Sequence, residues 1–389
     1  MHAIIKNKLL IVSYLLTLLY ALHYGIPLYA TSSYLHQYFG SSTVSMLYMF
    51  GAIAALIGSM SVAKYMRKFH TYGFTIGLVI AEIVITIAFG ISKNPLLIAA
   101  FFVTHFLLQT LLYVCLNVFI ESFSKHAETG SIRGLFLTLL NIGILISPII
   151  GGSILSFASF STLYIIASCM LIPFILLVRT YLYHIEEPAY ETINMYQAFR
   201  VAWKNKNIRA ALIAEFMVQC FYAVMVIYSP IYLATLGIPL TVYLTAILPF
   251  ALIPLVVLPY ELGYLADKRY GEKELLIGGL LILSLTVFLC VIVTTANPVI
   301  WVIILLLSRV GAACVETMAF AYYFKKVGPE DASLTALFSN TLSFATIVVG
   351  ALGILIGPFL IARPQLMFVI LGCAILASVA YVFPMKDTR

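Results

Sequence analysis

The chain has 389 residues, of which 63% are apolar and 10% charged, with a formal net charge of +7. Soluble domains carry about a quarter charged residues, so water is not the main solvent here, and the mean hydropathy of +1.07 marks an integral membrane protein. The basic residues fall between apolar runs rather than on one face, which argues against nucleic acid as a partner. The six cysteines lie inside apolar stretches at irregular spacing; they suit neither a disulfide framework nor a metal knot and read as reduced packing residues. No cofactor or metal is expected.

A bilayer core about 30 Å thick takes roughly 20 apolar residues in helix. Windows of that size, bounded by charge or turn signals, predict twelve spans at 9–30, 43–63, 71–92, 96–120, 134–156, 161–182, 209–234, 241–260, 275–295, 299–324, 334–362 and 365–384. Their length and lack of alternation favour helices over the strands of an outer-membrane barrel. With the N-terminus inside, nearly every Lys and Arg falls on the inner side; only Lys93 and Arg363 are outside, and Arg309 sits within a span. This bias predicts a multi-pass protein of the plasma membrane with both termini in the cytoplasm. The first apolar run is long enough to span, so no cleaved signal is needed.

The stretch 184–208 is the longest hydrophilic one and divides an expected N-terminal six-helix bundle (1–183) from a C-terminal one (209–389). Within it Tyr196, Phe199, Ala202 and Trp203 recur at helical spacing beside Arg200, Lys204 and Lys206. That pattern predicts an amphipathic helix on the inner membrane surface, with a solvated linker as the alternative.

The halves repeat each other, as in many transporters. Gly263-Tyr-Leu-Ala-Asp267-Lys-Arg-Tyr-Gly271-Glu-Lys273 aligns with Gly58-Ser-Met-Ser-Val62-Ala-Lys64-Tyr-Met-Arg67-Lys68, with Val62 at the aspartate position. Gly143, Ser147-Pro148 and Gly151-Gly152 in span five correspond to Gly353 and Gly357-Pro358 in span eleven.

On these residues the chain resembles the major facilitator superfamily. Residues 263–273 look like that family's signature loop, matching at Gly263, Leu265, Ala266, Asp267, Gly271 and Lys273. Arg309 with Gly311-Ala312 is similar to its arginine motif, here in span ten, whereas span four offers His105. The run Gly143 to Gly152 resembles an exporter motif, with Ser147 in place of a glycine. The resemblance implies an all-α fold of two pseudo-symmetric six-helix bundles. It also implies a latch in which Asp267 meets Arg133 or the first turn of span five, and a hinge at Pro148, for which ordinary small-residue packing is an equal alternative.

An ionisable group at the bilayer centre costs roughly 2.5–3.5 kcal/mol on insertion scales, so it normally faces protein or water. Glu82, Glu215, Arg309 and Glu316 are such groups. Arg309 and Glu316, seven residues apart, share a helix face; Glu215, Gln219 and Tyr222 form a polar stripe. His105, Gln109, Tyr113 and Asn117 recur every fourth residue in span four, span one adds Thr17, Tyr20, His23 and Tyr24, and Asn141 and Asn340 lie in spans five and eleven. In the family that this chain resembles, these helices are among those lining the central cavity. Glu316 and Glu215 are the candidate proton acceptors, because a buried carboxylate can release its proton when the cavity opens. Arg309 either binds an anionic group or pairs with Glu316. Each histidine, taken alone, reads as a packing residue, and Glu82 has no role because span three is peripheral in the family.

The expected function is secondary active transport of a small organic solute by alternating access, proton-coupled, by a monomer, with efflux favoured. Uptake by the same fold and a transport-inactive receptor or scaffold are the alternatives. No Gly-x-x-x-x-Gly-Lys loop, His-Glu-x-x-His or Gly-x-Ser-x-Gly occurs, which disfavours an ATP-driven pump and an intramembrane enzyme.

Overall fold

The structure, a computed structural model, describes residues 2–123, 129–183, 194–327, 331–360 and 363–386; residues 2–7, 121–123, 129–134, 267 and 332 are described by their backbone alone. Helices make up all the regular structure among the described residues. Lipid offers no partner for backbone N–H and C=O groups, and a helix satisfies them within the segment. Among the described residues, ten helices are long and apolar enough to cross a membrane.

The chain divides into two compact units. The first comprises Met1–Tyr34 and Phe50–Glu191. It is built from α1 (His2–Leu28), part of α2 (Thr31–His36), most of α3 (Ser41–Ile91), α4 (Pro95–Phe123), α5 (Thr129–Phe157), α6 (Phe160–Cys169) and α7 (Leu171–Tyr181). At 1.5 Å per residue the 51 residues of α3 extend about 76 Å, more than twice a bilayer core. Its path breaks at His70, whose φ of 58° and ψ of 150° are not helical. Helix α1 packs on α4, α5, α6 and α7. Its approach to α5 is close because a β-carbon at Gly151 would stand 2.6 Å from the Ile26 carbonyl oxygen, and one at Gly143 would collide with Ala21. Ser147, in the same stripe, turns its hydroxyl back to donate to the Gly143 carbonyl at 2.7 Å. Pro148 and Gly152 are buried in this helix as well.

The second unit comprises Leu35–Met49 and Thr192–Arg389. After the start of α3 it continues with α8 (Met195–Lys204), α9 (Lys206–Ile227), α10 (Ser229–Thr235), α11 (Leu240–Val242), α12 (Leu248–Leu265), α13 (Glu272–Ile292), α14 (Pro298–Lys326), α15 (Ala332–Ser339), α16 (Thr341–Leu360) and α17 (Leu366–Val382). Widened π turns at Tyr243–Ile247 and Ala266–Tyr270 flank α12. Helices α13 and α14 approach through Gly279 and Gly311: a β-carbon on Gly311 would stand 2.8 Å from the Leu283 amide nitrogen.

The helix predicted within 184–208 is α8. Asn194 caps it by accepting from the Gln197 amide at 3.0 Å, Ala198 and Ala202 are buried, and the helix packs on α15. Tyr196, Phe199 and Trp203 stay exposed, with the last two rings stacked 5.4 Å apart.

Replacing Gly151 by Val should cost about 1–3 kcal/mol by overpacking α5 against α1. Gly263→Ala, where nothing lies within 4 Å of the added carbon, should change stability by less than about 0.5 kcal/mol. Thermal unfolding in detergent measures both.

Candidate functional site

In the second unit the polar residues of α9 and α14 meet. Glu215 is buried and its Oε1 accepts from Gln219 Nε2 at 2.7 Å, one helical turn on. Tyr222, a further turn along, donates its hydroxyl to Glu316 Oε2 across the α9–α14 contact at 2.7 Å. Glu316, Gln219 and Tyr222 are half-buried, and the two carboxylates are near enough to interact electrostatically. One acid is therefore deep and the other partly open, each held by a neutral donor.

Arg309, two turns before Glu316 on α14, does not pair with it. Tyr222 stands between them chemically, giving its hydroxyl to the carboxylate and its ring to the guanidinium, 5.8 Å from the centroid. Phe221 lies closer, at 4.6 Å. Arg309 is fully buried, and its Nε, Nη1 and Nη2 have no hydrogen-bond partner among the described residues. Cation–π contact supplies about 2 kcal/mol or more when desolvated, well short of what five unmet donors and a buried charge require.

In the first unit Tyr20 donates to the Gln109 backbone carbonyl at 3.1 Å and its ring lies 6.0 Å from Tyr113. Gln109 is buried, and Tyr113 and Asn141 are half-buried. His105 turns away from the rest of its span-four stripe, to Thr86 at 3.0 Å and Glu82 at 2.7 Å. In the second unit Asn340 donates to the Ala336 carbonyl at 2.8 Å and ends α15.

Of the loop at 263–273, Gly271 has a φ of 81°, a conformation that favours glycine, whereas Gly263 meets no close neighbour. Lys273 lies over the Phe383 ring at 5.4 Å. The side chains of Asp267 and Arg133, the expected latch partners, lie outside the described residues. Glu272, which sequence reasoning passed over, is buried and forms an ion pair with Lys325. Its place in the first turn of α13, directly after a motif glycine, was the available signal.

Membrane-length helices with acids and a base held at depth between them define a multi-pass membrane protein of the transporter kind. The chain belongs to the Major Facilitator Superfamily, whose model matches residues 13–351. Two solved structures share its fold. An aspartate-to-alanine mutant of the nucleoside transporter NupG has a TM-score of 0.75 at 14% identity, over 96% of this chain and 99% of that one. The nucleoside transporter NupG without that substitution has a TM-score of 0.73 at 15% identity, over 98% of this chain and 100% of that one. No curated protein matches the chain.

Tyr222→Phe should cost about 1 kcal/mol by removing the donor to Glu316. Arg309→Met, which removes unmet donors but keeps the volume, should raise stability by about 1–3 kcal/mol. Thermal unfolding of the purified variants checks both signs.

Proposed function

We propose that the protein is a proton-coupled secondary transporter of a small organic solute, with twelve spans in two six-helix bundles and alternating access. The observation that carries this reading is the acid pair of the second unit, Glu215 with Gln219 and Glu316 with Tyr222. A carboxylate fastened to arginine stays ionised through a cycle, because the cation favours its charged form. One fastened to an amide or a phenol can change charge. The uneven depth of the two acids suits passage of a proton between a protected position and a wetter one.

Arg309 supports the solute side of the proposal. A guanidinium with unmet donors beside two aromatic rings matches a planar solute rich in acceptors or carrying an anionic group. Nucleosides, transported by the structurally similar NupG, are the first solutes to test. The exporter-like run from Gly143 to Gly152 favours efflux in exchange for protons, and a monomer suffices for the mechanism. The basic side of α8, with Arg200 and Lys204 beside exposed Phe199 and Trp203, supports its lying on the inner face of the plasma membrane, with both termini in the cytoplasm.

In proteoliposomes an imposed pH gradient should drive nucleoside flux by the wild type. Glu215→Gln and Glu316→Gln should lower that flux at least about tenfold, equivalent to some 1.4 kcal/mol of lost coupling, while leaving gradient-free solute exchange intact. Undiminished gradient-driven flux in both variants would remove these acids from coupling. Absence of any flux across a broad solute panel would favour the receptor or scaffold reading.

A further inference from the structure

We infer that His23, Glu82 and His105 form a proton-binding site inside the first unit, separate from the acids of α9 and α14. The three residues come from α1, α3 and α4, and all are buried, with relative exposures of 0%, 0% and 4%. One oxygen, Glu82 Oε1, receives both rings: His23 Nε2 at 2.9 Å and His105 Nδ1 at 2.7 Å. The other ring nitrogen of His23, Nδ1, lies 2.9 Å from the backbone carbonyl of Ala167, in the last turn of α6.

Hydrogen-bond inventory fixes the proton count. A carbonyl oxygen only accepts, so His23 Nδ1 carries a hydrogen. A neutral imidazole has one N–H, which would leave a lone pair on Nε2 facing the lone pairs of a carboxylate oxygen at contact distance. A further proton must lie between them. His105 meets its own requirement with a neutral ring protonated at Nδ1, which also contacts the Thr86 hydroxyl at 3.0 Å. Three ring or carboxyl protons thus occupy a set in which two neutral imidazoles and a carboxylate supply two. The extra proton resides on His23 Nε2 or on Glu82, and in either position it makes the set neutral overall. Its departure would break the N–H···O bridge from α1 to α3 and leave one negative charge in the unit's interior.

Among the described side chains the surroundings offer no substitute cation. Tyr20, which senses Glu82 electrostatically, and Tyr164 of α6 have their hydroxyls engaged with the Gln109 carbonyl and Thr31. Tyr24 stacks on Tyr20, and Tyr113 and Cys115 of α4 are uncharged. The described side chains of α5 carry no ionisable group, and Arg179 of α7 is exposed near its helix end. A metal ion fits less well than a proton. The three ligand atoms lie within 4.8 Å of one another, but the contacts to Oε1 are hydrogen-bond lengths. Tetrahedral zinc with bonds of about 2.0–2.2 Å holds its donors roughly 3.3–3.6 Å apart.

The test is proton and nitrogen magnetic resonance of the full chain, with isotope-labelled histidine, in lipid nanodiscs near neutral pH. A far-downfield proton bridging His23 Nε2 and Glu82 should be present, lost in His23→Gln and in Glu82→Gln, and unaffected by Glu316→Gln. Should single variants fold poorly, the double variant His23→Leu with Glu82→Leu removes both partners together; it should keep its helical circular dichroism and lack the resonance. Persistence of the signal in Glu82→Gln overturns the assignment. So does a wild type in which His23 Nε2 is bare and Glu82 is ionised, or one equivalent of zinc bound in dialysis and dependent on His23 and Glu82. No transport is measured, so this result and the flux of the Glu215 and Glu316 variants stand or fall separately.

Discussion

A polar group taken into hydrocarbon without a partner costs several kcal/mol, and that constraint shapes this chain at every scale. For the backbone it leaves helices or closed barrels, and this chain uses helices. For side chains it forces polar residues to find one another across helix contacts: Tyr222 with Glu316, Ser45 with Tyr228 at 2.7 Å, and His23 with Glu82. Tyr34 and Tyr232 instead reach neighbouring backbone carbonyls, at Phe89 and Cys290. Each such bond ties two helices and so carries fold information as well as chemistry. One oxygen each of Glu82 and Glu215 is left without a partner among the described residues, but Arg309 departs furthest from the rule, with all three guanidinium nitrogens unmet.

The parts of the architecture that depend on local pattern were legible in the sequence. Apolar windows and the spacing of Glu215, Gln219 and Tyr222 concern residues a turn or a span apart, and a helix converts that spacing directly into a shared face. What escaped were partners brought together by packing. Glu82 had no evident purpose because its two histidines lie 59 and 23 positions away on other helices, and each histidine read separately looked like a packing residue. The pairing of Glu272 with Lys325 was hidden likewise, its partner being 53 positions on. The break at His70 falls in the charged gap predicted between spans two and three, although nothing in hydropathy marks which residue of that gap turns the backbone.

Motif residues separate into those with a steric reason and those without one. Gly271 adopts a backbone conformation that side chains disfavour, and Gly151 admits a carbonyl oxygen where a β-carbon would stand. Gly263 belongs to the same signature yet has neither constraint. Small residues in α5 therefore act first as a contact surface for α1. Ser147 fits that surface despite replacing a glycine, because its hydroxyl folds back on its own helix and satisfies itself within the segment.

The two units solve the problem of a buried acid in different ways. In the first, the acid is matched by bases, and a single proton brings three side chains to neutrality while bridging α1 to α3. In the second, the acids are matched by an amide and a phenol, and the arginine is kept from them because Tyr222 occupies the carboxylate with its hydroxyl and the guanidinium with its ring. That division has a chemical consequence. An Arg309–Glu316 ion pair would fix both charges and leave neither free to respond to solute or proton. On the proposed function, interposing a tyrosine keeps the carboxylate able to change charge and the guanidinium able to accept an external partner, so a single residue of α9 would serve both.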